Sequence, residues 1–138
     1  MIISTATLND LTTLTAMNVR LREDERADNA MTDKQVYDRM EGFLKGDYKA
    51  FLFEVDSTVY GYALVDVTKS PLYLRQFYIE REHRSKGFGS TAFNLLLKEL
   101  KCETIDIDVL AWNNKGMIFW QKVGFEPRCV AMRYKKKV

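Results

Sequence analysis

A glycine-containing segment at residues 84–90, which reads RSKGFGS, combines residue types that suit a phosphate group. Its two glycines let the backbone approach a ligand without obstruction by a side chain. Apolar residues at helical spacing follow, namely Phe93, Leu96, Leu97 and Leu100, and they predict a helix that begins within the segment. Because the first N–H groups of a helix lack partners and favour an anion, the segment is predicted to hold a pyrophosphate.

A dinucleotide cofactor is the first alternative for this segment. Residues 87–92 match the pattern G-x-G-x-x-A, and Asp106 and Asp108 lie near the expected position of a ribose-binding acid. In that fingerprint, however, the first glycine comes directly after a buried apolar strand. Here a charged run at residues 80–86 stands between strand and glycine, and predicted antiparallel strands precede it. The sequence therefore argues against a nicotinamide cofactor.

The elements that must position this segment are predicted from periodicity and turn residues. Strands are expected at residues 2–6, 50–55, 58–67, 72–80, 104–109 and 129–135. Helices are expected from Leu8, behind a capping box at residues 32–35, from Gly87 and from Asn113. Residues 20–29 are too polar for a core and predict a loop between the first two helices. A helix joins the strands at 72–80 and 104–109, so these two are predicted to run parallel with a right-handed crossover.

Length and composition limit the classes to which the chain can belong. Its 138 residues predict one mixed α/β domain spanning residues 1–138. A net charge of +2 gives no general case for nucleic acid or a membrane surface as a partner. Two cysteines, Cys102 and Cys129, and a single histidine can hardly ligate a metal, so no metal site is predicted. No signal-like N-terminus or long apolar run is found, which predicts a cytoplasmic protein.

Two motifs resemble those of the GCN5-related N-acetyltransferase (GNAT) superfamily. Residues 84–89 are similar to the signature R/Q-x-x-G-x-G/A, which binds acetyl coenzyme A (acetyl-CoA) in that superfamily. Residues 113–125 resemble its later N-x-x-A-x-x-x-Y-x-x-x-G-F segment, at the usual separation. The order of elements also matches, and the resemblance covers essentially the whole chain. It implies the GNAT fold, a central mixed and mostly antiparallel sheet with a splayed parallel strand pair and helices on both faces.

The resemblance also implies which residues hold the co-substrate. Backbone N–H groups of residues 85–90 are expected to hold the pyrophosphate, and the splayed strand is expected to offer free backbone to the pantetheine arm. One of these strand N–H groups could also polarise the thioester carbonyl. The implied cofactor-binding residues are Phe77, Tyr78, Ile79, Arg84, Ser85, Lys86, Gly87, Phe88, Gly89, Ser90, Asn113 and Trp120. Arg84 and Lys86 would add positive charge, and Asn113 would also serve as a helix N-cap.

The sequence departs from the family pattern where a tyrosine often protonates the leaving thiolate. That position is Trp120, whose indole N–H donates a hydrogen bond but is not a usable proton donor. Trp120 is expected either to pack against the pantetheine or to be a core aromatic residue of its helix. The acid role would then pass to water or to another tyrosine, such as Tyr73 or Tyr134. Tyr73 and Trp120 are therefore the candidate catalytic residues.

The general base and the acceptor contacts stay open at this point. Glu80, Asp106 and Asp108 are candidate carboxylates, and Asp108 faces either the cleft or solvent. His83 lies in the phosphate loop, which favours a surface role for it. By resemblance, Tyr73 and Arg75 lie on the strand that faces the cleft and would contact the acceptor.

The sequence as a whole predicts an acetyl-CoA-dependent N-acetyltransferase that works through a ternary complex. Neither cysteine lies near the chemistry of either motif, which argues against a covalent thiol intermediate. The acceptor is predicted to be a primary amine of a small molecule, a peptide or a protein. In this fold the first helices and the following loop set acceptor choice. Residues 19–32 are acidic on balance here, which suits a cationic amine, although a solvated loop explains that charge equally well.

A rival from another class is a non-catalytic module that binds or senses acyl-CoA, and the missing tyrosine favours it. A tRNA-directed acetyltransferase is a third possibility that the charge balance disfavours. The sequence leaves open whether the chain forms a homodimer.

Overall fold

The computed structural model of the chain describes residues 1–137, in two units, one from Met1 to Asp108 and one that begins at Val109. The first unit contains strands β1 (Ile2–Thr5), β2 (Tyr48–Val55), β3 (Thr58–Asp66), β4 (Leu72–Ile79) and β5 (Ile105–Ile107). Its helices are α1 (Leu11–Glu25), α2 (Asp33–Lys45) and α3 (Phe88–Leu100), and short 3₁₀ helices lie at Leu8–Asp10 and Arg81–His83. The second unit contains α4 (Asn114–Lys122). No helix within residues 1–137 has the length and apolar character needed to cross a bilayer.

The five strands form one sheet in the order β1-β2-β3-β4-β5. All neighbours are antiparallel except β4 and β5, which run parallel as predicted. The parallel pairing is short, because it joins only residues 72–74 to Ile105–Ile107. From Arg75 to Ile79, β4 therefore continues without β5 beside it. This divergence is the splayed strand pair that the sequence predicted.

Helices cover both faces of the sheet. Tyr62 and Tyr78 are in register and buried, and they pack in one core cluster with Leu14 and other apolar residues of α1 and α2. Successive side chains of a strand point to opposite faces, so Phe77 lies on the other face, where Phe93 of α3 packs edge-on against it at 6.4 Å. Each fully buried aromatic or leucine side chain contributes roughly 1.5–3 kcal/mol. The predicted mixed α/β fold class is confirmed.

The capping box at the start of α2 is confirmed in both of its hydrogen bonds. The Gln35 N–H donates to Oγ1 of Thr32 at 3.1 Å, and the Thr32 N–H donates to Oε1 of Gln35 at 2.8 Å. The helix ends at Gly46, whose N–H donates to the carbonyl of Phe43 at 3.2 Å. Local sequence signals therefore determine both ends of α2.

Two predicted segments differ in the structure. Residues 20–25, expected to belong to a loop, continue α1, which ends at Arg26 in a left-handed conformation. Their polarity misled the prediction because their charged side chains pair with residues that follow β4. Residues 129–135 contain no strand, although apolar residues alternate along them. Alternation favours a strand only where a neighbouring strand pairs with it, and the alternating side chains here are exposed.

Candidate active site

The predicted phosphate loop connects β4 to α3 and has a strained, open backbone. Ser85 and Gly87 both have positive φ, 62° and 81°, and Gly87 is the N-cap of α3. The first helical bond of α3 joins the Thr91 N–H to the Gly87 carbonyl at 3.1 Å, and no side chain caps the helix. The N–H groups of the first turn therefore have no intrahelical partner. Within the first unit, a Cβ atom added at Gly87 would meet no other atom within 4 Å, so this unit leaves the space in front of the loop open.

Three aromatic rings anchor the two ends of this loop to the sheet. His83, at the start of the loop, stacks on Tyr60 of β3 with ring centroids 3.6 Å apart and planes 4° apart. Phe88, at the start of α3, meets the Tyr60 ring edge-on at 5.1 Å. The sequence suggested a surface role for His83, whereas the structure gives it a packing role that no sequence signal indicated.

Arg84 is held by β4 and α1 at the entrance to the loop. Its Nε donates to the carbonyl of Ile79 at 2.7 Å, and its Nη2 donates to Oδ2 of Asp24 at 2.6 Å. The guanidinium also lies over the ring of Tyr78, 5.1 Å from its centroid. Partial burial raises the pKa of Asp24, but hydrogen bonds from Arg84 and Arg81 outweigh burial and leave that pKa below its ordinary value. Arg84 thus positions the loop, and its positive charge is already shared with a carboxylate.

Further ion pairs join α1 to the segment after β4. Arg20 binds Glu80 with two hydrogen bonds of 2.9 and 2.8 Å. Arg81 pairs with Glu23 at 3.1 Å and with Asp24 at 2.8 Å. An open cleft of about 350 Å³ lies along this contact and is lined in part by Arg20, Glu80 and Arg81. Glu23 and Asp24 of α1 are therefore engaged within the protein. Sequence reasoning missed the ion pairs of Asp24 because its partners are distant in the chain.

Beyond residue 74, the backbone N–H and C=O groups of successive β4 residues point alternately toward β3 and toward the opposite edge of the strand. The Glu80 N–H donates to the Tyr60 carbonyl at 2.7 Å, so Glu80 faces β3. In an antiparallel pair this orientation repeats every second residue, so the backbone groups of Tyr78 also face β3. Those of Phe77 and Ile79 face the opposite edge, and the Ile79 carbonyl accepts from the Arg84 side chain there. Of the three residues proposed for the pantetheine, Phe77 and Ile79 present backbone to that edge.

Tyr73 and Asp108 are brought together where β4 and β5 pair. The Tyr73 hydroxyl donates to Oδ2 of Asp108 at 2.8 Å. Burial, followed by the hydrogen bond to Asp108, raises the pKa of Tyr73 above its ordinary value. Tyr73 is in register with Asp106 of β5. The sequence left open which way the Asp108 side chain points, and in the structure it points toward Tyr73.

The remaining predicted site residues lie apart from these contacts or in the second unit. Lys86 is exposed in the loop. Within the second unit, Asn113 caps α4 through its Oδ1, which accepts the Gly116 N–H at 3.0 Å. Trp120 packs edge-on against Phe119 and Phe125, at 4.8 and 5.2 Å. Their contact with the pantetheine stays a prediction.

Comparison with protein families matches residues 12–125 to the model described as the acetyltransferase (GNAT) family. The fold is similar to that of a mutant BH1408 protein from Bacillus halodurans, with a TM-score of 0.82, 18% identity, and coverage of 99% of this chain and 100% of that one. A predicted acetyltransferase with acetyl-CoA from Clostridium acetobutylicum gives a TM-score of 0.72 at 15% identity, covering 97% and 95%. AAC(6')-Iy in complex with the bisubstrate analog CoA-S-monomethyl-acetylneamine gives 0.76 at 17% identity, covering 99% and 98%. A search of curated proteins gives no match.

Proposed function

Because the chain belongs to the GNAT family of acetyltransferases, we propose that it moves an acetyl group from acetyl-CoA to a primary amine. The observation that carries this proposal is the open loop at Gly87, which leads directly into α3 without a side-chain cap. A helix start of this kind favours a phosphate group through free N–H groups and the helix dipole. The acceptor is a small amine or the amine of a peptide or protein.

The backbone rather than side chains holds most of the co-substrate. The N–H groups of residues 88–90 bind the pyrophosphate, and Lys86 adds positive charge at the loop surface. Phe77 and Ile79 pair with the pantetheine arm along the edge of β4 that β5 leaves free. One of their N–H groups also polarises the thioester carbonyl as an oxyanion donor.

Tyr73 and Asp108 handle the protons of the reaction. A primary amine with an ordinary pKa of about 10.4 is protonated at pH 7 and must first lose one proton to solvent. Asp108 takes the second proton as the C–N bond forms and the C–S bond breaks. Tyr73 gives its hydroxyl proton to the sulfur and regains one from Asp108, to which it is hydrogen-bonded. The raised pKa of Tyr73 supports this role, since Tyr73 stays protonated at pH values where the amine is neutral.

The properties of the two cysteines support direct transfer within a ternary complex rather than transfer through a covalent thiol intermediate. Burial raises the pKa of the Cys102 thiol, which makes it a poor nucleophile. Cys129 is exposed in the second unit.

Release of free thiol from acetyl-CoA, measured against a panel of small amines and a lysine-containing peptide, tests the proposal. We expect amine-dependent release with acetylated amine detected by mass spectrometry. Binding of acetyl-CoA is measured separately by calorimetry. Tight binding without turnover of any amine would instead favour the non-catalytic acyl-CoA-binding module. The presence of Trp120 in place of the family's tyrosine also favours that alternative. Absence of binding would reject both functions.

A further inference from the structure

Two arginines of the first unit, Arg39 of α2 and Arg75 of β4, lie near one aromatic ring without a carboxylate partner. Their guanidinium carbons lie 5.6 and 4.9 Å from the ring centroid of Phe43. Arg75 Nη1 donates to the hydroxyl of Tyr48 at 3.4 Å, and Arg39 Nη2 donates to Oδ1 of Asn18 at 3.1 Å. In the part of the chain that the structure describes, neither arginine forms an ion pair with a carboxylate.

Arg39 in particular is an incompletely satisfied cation. Its Nε atom is buried and has no hydrogen-bond partner in the structure. Burial, together with repulsion from Arg22 and Arg75, lowers the pKa of Arg39 from its ordinary value. An unpaired cation in such a setting destabilises a fold unless an anion compensates it. A guanidinium presents a planar fork of donors that matches a carboxylate or a phosphate group.

A β-bulge places Arg75 beside the proposed reaction site. β3 pairs Leu64 with Gln76 and Val65 with Leu74, so Arg75 has no residue opposite it. Leu74 is also the last residue of β4 that pairs with β5. Bulges frequently redirect a side chain next to an active site.

Arg75 and Tyr73 lie on the same face of the sheet. Tyr48, which accepts a hydrogen bond from Arg75, is in register with Asp66, and Asp66 is in register with Tyr73. Residues directly opposite each other on neighbouring strands share a face. The guanidinium therefore lies on the face that carries the Tyr73 hydroxyl.

Part of the acidic charge that suggested a cationic acceptor is paired within the fold. Of the four acidic residues at positions 19–32, Glu23 and Asp24 each form an ion pair with an arginine of the same unit. The charge left without an ion-pair partner at Arg39 and Arg75 is positive. The charge at these two arginines is thus opposite in sign to the acidic balance of residues 19–32.

We propose that the acceptor amine carries an anionic group, a carboxylate or a phosphate, which Arg39 and Arg75 bind so that the amine faces the edge of β4. This inference rests on the proposed acetyltransferase function and names the substrate class of the same site. It places the anion of the acceptor at α2 and the bulge, and the amine near Tyr73 and Asp108.

Matched acceptor pairs test the inference in the thiol-release assay. The pairs are 4-aminobutyrate against butylamine for a carboxylate, and phosphoethanolamine against ethanolamine for a phosphate. We expect kcat/KM at least tenfold higher for one member that carries an anionic group than for its counterpart that lacks this group, and the better pair identifies the anion. Arg75→Gln and Arg39→Gln should lower kcat/KM at least tenfold for that anionic acceptor, mainly through KM, and less than twofold for its counterpart.

Lys49→Gln is the matched control, because Lys49 is an exposed cation next to Tyr48 on β2 and points to the opposite face. This substitution should leave kcat/KM unchanged for all four acceptors. Equal kcat/KM within both pairs, or equal losses in Arg75→Gln for acceptors with and without the anionic group, would overturn the inference. Arg75 is exposed, so its substitution keeps the test available if Arg39→Gln fails to fold.

Equilibrium binding separates the inference from the proposed function. If acetyl-CoA binds but no amine is acetylated, the transferase proposal fails. The inference is then decided by calorimetry of 4-aminobutyrate and phosphoethanolamine with the CoA-bound protein. Binding that weakens at least tenfold in Arg75→Gln but not in Lys49→Gln supports the anion site. Absence of binding to the wild-type protein rejects it.

Discussion

Replacement of Gly87 by alanine tests whether the backbone of the loop holds the pyrophosphate. Gly87 has φ of +81°, and a Cβ atom there would enter open space rather than collide with the protein. The substitution therefore has two separable effects, a backbone cost within the fold and an obstruction in front of the loop. Only the second effect depends on the bound co-substrate.

Both effects have estimable sizes. A non-glycine residue in the left-handed region costs roughly 1–2 kcal/mol, which corresponds to a fall in Tm of roughly 4–8 °C for a domain of this size. A hydrogen bond to a charged group contributes about 1.5–3 kcal/mol. Loss of one N–H contact to the pyrophosphate should therefore raise the Kd of acetyl-CoA roughly 10- to 100-fold.

The assay is calorimetric titration of acetyl-CoA and of acetylpantetheine, which lacks the pyrophosphate, at a temperature where the variant is folded. Acetyl-CoA should lose affinity and acetylpantetheine should not. Gly124→Ala is the control for backbone cost, because Gly124 also has positive φ, 116°, and lies outside the loop. An acetyl-CoA Kd within twofold of wild type in folded Gly87→Ala, or equal losses for both ligands, would refute the assignment of the loop.

Three further substitutions give separate tests. Asp24→Asn removes the ion pairs to Arg81 and Arg84, and should lower the free energy of unfolding by about 1 kcal/mol at pH 7. Because its folded pKa is lowered, the contribution of Asp24 is present above its ordinary pKa, and denaturation curves should show the difference shrinking as pH falls below about 4. Gly42→Ala, inside α2 with open space around its Cβ, should raise the free energy of unfolding by about 0.5–1 kcal/mol in the same assay. Tyr73→Phe should lower kcat roughly 100-fold with little change in the KM of acetyl-CoA, and an unchanged kcat would remove Tyr73 from the chemistry.

Local signals predicted those parts of the fold that local contacts stabilise. The capping box at Thr32 and Gln35, the hairpin of β2 and β3, and the start of α3 at the glycines all depend on residues close in sequence. The predicted length of α1 was wrong because its last turn carries Asp24, whose ion-pair partners Arg81 and Arg84 follow β4 in the sequence. No periodicity shows such a pairing in advance.

For the same reason, the sequence predicted some parts of the candidate site and not others. The loop and its glycines are visible as a motif, whereas the orientation of Asp108 toward Tyr73 depends on how β4 and β5 pair. The bulge at Arg75 is likewise a property of strand register and leaves no mark in the local pattern. Charge counted along the sequence does not show which groups pair in the fold, where Glu23 and Asp24 form ion pairs with Arg81 and Arg84.

The free edge of β4 has a consequence for how this protein tolerates mutation. If Phe77 and Ile79 bind the pantetheine through backbone groups, substitutions that preserve the packing of their side chains leave the contact with the co-substrate in place. Only proline, which lacks an N–H group, would remove the contact at either position. In the proposed function, Tyr73 and Arg75 of the same strand act on the acceptor side of the site. Acceptor preference can therefore drift through substitutions in the same strand while recognition of acetyl-CoA is inherited unchanged.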